Sequence, residues 1–95
     1  MEIEFLTPAN QKLIEIIDHY NSESEGLGYE FASEVKNTLE RIVQYPDAWH
    51  PLSKRTRRCR TKRFPYSIIF QHRPDKILII AIMHMHQKPT SVTSS

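Results

Sequence analysis

Apolar residues recur along the chain first at strand spacing, then at helical spacing, then at strand spacing again. Ile3 and Phe5 alternate with Glu2 and Glu4, which predicts a short strand over residues 2–6. Ala9, Leu13, Ile16, Ile17 and Tyr20 then line one face of a helix from about Pro8 to Ser22, while Lys12, Glu15, Asp18 and His19 fall elsewhere. Thr7 offers an N-cap oxygen, and Pro8 suits the first helical position because its missing N–H would be unpaired there. Both glycines fall in Gly26-Leu27-Gly28, at a turn. A second helix runs from Leu27 or Gly28 to Gln44, with Phe31, Val35, Leu39 and Ile42 as its main stripe and Tyr45-Pro46 as its stop. The short connection makes the two helices an antiparallel hairpin.

Asp47 to Leu52 reads as a connector, with Trp49 at the edge of the core. Strand spacing then returns. Residues 57–62 alternate, placing Arg58, Arg60 and Lys62 on one face and Arg57, Cys59 and Thr61 on the other. Tyr66–Gln71 is a second strand of this run, Arg73-Pro74-Asp75-Lys76 a hairpin turn, and Ile77–His84 a third strand, apolar on both faces as a central strand is. The expected fold is α+β. A short N-terminal strand and an antiparallel two-helix hairpin pack on a mainly antiparallel sheet of about four strands.

Ninety-five residues make one small domain, here 1–89, with 90–95 as a frayed tail. A single cysteine, Cys59, excludes an internal disulfide and a C-x-x-C site, and it reads as a buried small residue. The acidic start Met1-Glu2-Ile3-Glu4-Phe5 lacks the pattern of a cleavable leader, and the apolar run Ile77–Met83 is too short to span a bilayer. The expected location is the cytoplasm, with no membrane partner.

Charge changes the picture most. Residues 1–49 hold three Lys/Arg and ten Asp/Glu; residues 50–95 hold ten Lys/Arg and one Asp. Seven of those cations crowd into ten positions, Lys54 to Arg63. Such a run repels itself and calls for an anionic partner. Arg55, Arg57, Arg58, Arg60, Lys62, Arg63 and Lys88 are the expected partner-binding residues. For phosphate chemistry, Arg58, Arg60 and Lys62 supply cations, while His84 and His86 supply groups that titrate near neutrality. No metal site is expected, since the two histidines have no third ligand nearby in sequence. No phosphate loop, Ser/His/Asp order or paired-carboxylate motif is present, and no cofactor is expected.

The ordered set of Pro8-Ala9, Gly26-Leu27-Gly28, Leu39-Glu40-Arg41-Ile42, Pro46, Trp49, Arg57-Arg58 and Arg63-Phe64-Pro65-Tyr66-Ser67-Ile68, with a last strand ending at His84, resembles the RelE/ParE superfamily of type II toxin–antitoxin toxins. Within it, the long helical hairpin looks like the ParE or plasmid-stabilisation branch. The resemblance implies a toxin neutralised by a cognate acidic antitoxin that wraps the basic face. Operator DNA would be met only through that complex. ParE-like members inhibit DNA gyrase without nuclease chemistry. RelE-like members are ribosome-dependent messenger-RNA endonucleases, and a detoxified member would only bind its antitoxin. Many relatives continue after the last strand with two arginines, Pro and an aromatic residue, and many nucleolytic members carry a Tyr there. Here the stretch is Met85-His86-Gln87-Lys88-Pro89-Thr90, so binding is the favoured mode.

Overall fold

A computed structural model of the chain describes residues 1–85. His86, Lys88 and the 90–95 tail lie outside the described residues. The elements are β1 (Glu2–Phe5), α1 (Thr7–Glu23), α2 (Leu27–Gln44), β2 (His50–Pro51), β3 (Thr56–Arg60), β4 (Tyr66–His72) and β5 (Lys76–His84). They form one five-stranded sheet in the order β1-β5-β4-β3-β2.

Three details correct the expectation. The sheet has a fifth strand, because His50 and Pro51 of the connector pair with Arg58 and Arg57. Thr7 is not the cap of α1: Leu6 holds that position, and no side chain caps the helix. The reason is local. The Leu6 N–H still donates to Ile79 O while its carbonyl already accepts from Asn10 N, both at 3.0 Å, so strand passes into helix without a spacer. Finally, β3 ends at Arg60, two residues short of the expected limit, for a reason given below.

β1 runs parallel to β5, and the other neighbours are antiparallel. Ile3 and Phe5 pack on the core while Glu2 and Glu4 are exposed, and Glu4 accepts from Lys76 Nζ at 2.7 Å. The helices turn tightly through Gly26, whose φ of 85° suits a residue without Cβ. Gly28 has a different role. A Cβ there would collide with the Ile17 carbonyl of α1, and its N–H donates to Asn21 Oδ1 at 2.7 Å. The backbones of the two helices therefore pack tightly against each other at this glycine.

The hairpin covers one sheet face. Phe31, Val35 and Ile42 of α2 and Ala9 and Ile16 of α1 bury against Ile68 and Phe70 of β4 and Ile77, Ile79 and Ile82 of β5. Each large side chain so buried stabilises the fold by about 1.5–3 kcal/mol relative to exposure. A bulge explains the doubly apolar β5. Ile79 faces Phe70 and Ala81 faces Ile69, which leaves Ile80 over and shifts the helix-facing set from Ile77 and Ile79 to Ile82.

Candidate functional site

β3 carries cations on both of its faces. Residues paired across antiparallel strands share a face. Arg58 pairs with Ile69 and Arg60 with Ser67, so these two stand on the face that the helices leave open. Arg57 pairs with Phe70 and Cys59 with Ile68, on the helix side. Cys59 is buried, and burial pushes its thiol above the ordinary range, only partly offset by Arg41 nearby. It is a core residue and not a nucleophile.

Arg58 and Arg60 border a depression of about 150 Å³ whose other walls are Leu52, Ser67, Ile69, Met83, His84 and Met85. The lining is mixed: Leu52, Ile69, Met83 and Met85 are apolar, and Arg58 and Arg60 supply guanidiniums. His84 closes one end. It pairs with Tyr66, and the two rings meet edge-on at 5.1 Å. Tyr66 faces the helices, so the His84 ring touches that aromatic group while also bordering the depression that holds the two arginines. Burial raises the Tyr66 hydroxyl pKa. Tyr20 is raised by burial first, then by Tyr66 and Glu23.

The segment after β3 is bound to the helices, which ends the strand early. Glu34 of α2, buried despite its charge, accepts the Lys62 N–H at 2.6 Å. Arg41 reaches from the same helix, its Nη2 lying 3.8 Å from Glu34 Oε2, 2.9 Å from Thr38 Oγ1 and 3.5 Å from Arg60 O. Thr61 closes the turn: its N–H donates to Tyr66 O at 3.0 Å and its hydroxyl to Phe64 O at 2.7 Å. Phe64 then drops among Tyr20 and Phe31, at ring distances of 5.1 and 5.2 Å. This is what the Arg63-Phe64-Pro65-Tyr66 run is for: it anchors the end of the basic strand in the aromatic core.

The consequence for the expected site is a division. Arg58 and Arg60 come together as expected. Lys62 leaves them and borders a separate hollow with Glu34, Asn37, Glu40, Arg41 and Gln44. Arg63 is paired with Glu30 at 2.8 Å and lies over the Phe64 ring at 5.3 Å. Arg55 and Arg57 belong to another cleft, at the far end of β3, with Lys54, Arg73, His72, Gln71, Asp47 and Pro74. Sequence reading missed Glu34, hidden among the polar positions of α2, and the apolar floor. It also missed Arg73, which reads as turn chemistry until the pairing of Thr56 with Gln71 brings it across. Among the described residues, no group of three His, Cys, Asp or Glu could hold a metal ion, and no helix is long and apolar enough to cross a membrane.

The fold is found among solved structures. A chain of the chromosomal ParDE toxin–antitoxin system from P. aeruginosa superposes with a TM-score of 0.78 at 18% identity, over 90% of this chain and 97% of that one. No curated protein sequence matches. The family model of the ParE toxin of type II toxin–antitoxin systems, parDE, matches residues 3–89. This protein therefore belongs to the ParE toxin family, within the RelE/ParE superfamily of type II toxin–antitoxin toxins.

Proposed function

We propose that this toxin arrests growth by binding DNA gyrase, and that a cognate acidic antitoxin neutralises it by covering the Arg58–Arg60 face in the cytoplasm. The observation that carries the reading is the make-up of the depression: two guanidiniums on the rim of a floor formed by Leu52, Ile69 and Met83. An apolar floor with an arginine rim is the anatomy of a protein–protein hot spot. It also fits an acidic, amphipathic antitoxin segment that would mask the same surface.

Cleavage chemistry is less well supported. Metal-free RNA cleavage needs a base and an acid beside the phosphate-holding cations. His84 borders the depression with Arg58 and Arg60 but is engaged edge-on by Tyr66, and among the described residues no second titratable acid or base lines that depression. Purified protein added to a gyrase supercoiling assay should inhibit it, and the Arg58→Ala/Arg60→Ala protein should inhibit far less. Full supercoiling at micromolar toxin would reject gyrase as the target. Cut messenger RNA in arrested cells, mapped by primer extension on ribosome-bound message, would replace the binding reading with a nuclease.

A further inference from the structure

The second cationic cleft lies where the β2–β3 connection meets the β4–β5 turn. Lys54, Arg55, Arg57 and Arg73 surround a hollow of about 380 Å³, with Gln71, His72, Pro74 and Asp47 completing the wall. Several of these groups are held in place by neighbours. Arg57 Nη1 donates to Trp49 O at 2.9 Å, Arg73 Nε donates to Gln71 Oε1 at 2.9 Å, and His72 Nδ1 lies 2.9 Å from Asp47 Oδ1. Arg57 and Arg73 each keep further guanidinium N–H groups beyond those bonds. Asp47 is the one carboxylate on this wall, and it is engaged by His72.

We propose that this cleft holds the phosphodiester backbone of duplex nucleic acid, so that the toxin touches nucleic acid directly and not only through a partner. The lining selects phosphate over an acidic peptide. The lining offers cations and amide or ring donors but no large aliphatic or aromatic anchor, and peptide docking draws most of its energy from such anchors. Backbone phosphates need only charge and donors, and arginine forks match their oxygens in pairs. The cleft shares no lining residue with the Arg58–Arg60 depression. The assignment does not depend on which protein the depression binds.

The test is fluorescence anisotropy of a short labelled DNA duplex with the full chain, at about 50 and 200 mM salt. Arg55→Ala/Arg73→Ala should weaken binding about tenfold or more at the lower salt and reduce the salt slope by about 2, one phosphate contact per arginine. A charge-matched control on the helices, Lys12→Ala/Lys36→Ala, should stay within about twofold, since backbone attraction at a site depends on nearby cations. Asp47→Asn, which removes the opposing charge, should tighten binding. Circular dichroism melts confirm that each variant is folded. Failure of the parent protein to bind, equal losses in the two double variants, or an unchanged salt slope would each overturn the assignment. So would preferential binding of a polyglutamate peptide of matched charge. Displacement of the duplex by micromolar inorganic triphosphate would reassign the cleft to free polyphosphate.

Discussion

The Arg58–Arg60 depression and the Lys54–Arg73 cleft draw on one continuous basic run, yet they stand on different foundations. The depression is floored by side chains of the sheet, and its strand is tied down by Glu34, Thr61 and Phe64 at its C-terminal end. The cleft joins Arg57, Gln71 and His72 of the strands to side chains of the connections and turns, held by single hydrogen bonds such as Arg57 to Trp49 O and His72 to Asp47. Charge alone therefore says little about role. What lies under the charge decides whether a surface suits a protein partner or a phosphate chain.

The comparison can be broken most severely from below. Phe31→Ala removes a fully buried ring that contacts Tyr20, Phe64 and Tyr66. It should cost about 3–5 kcal/mol of stability in a urea melt. Because the anchor of Phe64 goes with it, antitoxin binding should suffer before DNA binding does as denaturant rises. Simultaneous loss of both would mean that the two regions share one support.

Replacing Arg58 and Arg60 with Ala should weaken antitoxin about a hundredfold, near 2.7 kcal/mol, and flatten its salt dependence. Titration calorimetry at two salt concentrations is the check, and an unchanged affinity would refute an electrostatic rim.

Glu34→Ala leaves the Lys62 N–H without its partner and should destabilise by about 1–3 kcal/mol. The sharper readout is hydrogen exchange. Protection should fall at Lys62 and its neighbours and remain in the cleft around Arg57.

The smallest effect is alkaline. Burial raises Cys59 from its ordinary 9.0 and Tyr20 and Tyr66 from 10.0, while the hydrogen bond that Lys76 donates to Glu4 raises Lys76 from 10.5. A raised folded-state pKa means full stability below the unfolded value and loss as pH climbs through the folded one. Tm should hold up to about pH 9 and fall above it, and Cys59→Val should delay the onset. A Tm that rises above pH 9 would contradict these directions.

Much of this was legible in the chain. The 3.6 and 2.0 periods located both helices and the three long strands, because each element buries one regular face. Arg58 and Arg60 were legible for the same reason, since alternation alone puts them together. Lys62 was not. Its place depends on a carboxylate twenty-eight positions earlier on another element, and no local pattern encodes that bond. The two-residue β2 is too short to show a period, and Arg73 reaches the cleft only through strand register. The bulge at Ile80 is invisible in a run where every residue is apolar.

The topology of the sheet sets the order in which the fold can be completed. β1 finds its partner in β5, Ile3 beside Ile77 and Phe5 beside Ile79, so the first strand made waits for the last. β4 likewise takes one of its two neighbours from β5. During synthesis, the nascent chain thus cannot complete its sheet until the residues of β5 have emerged from the ribosome. The sheet that carries the basic face is therefore completed only after its last strand has been made.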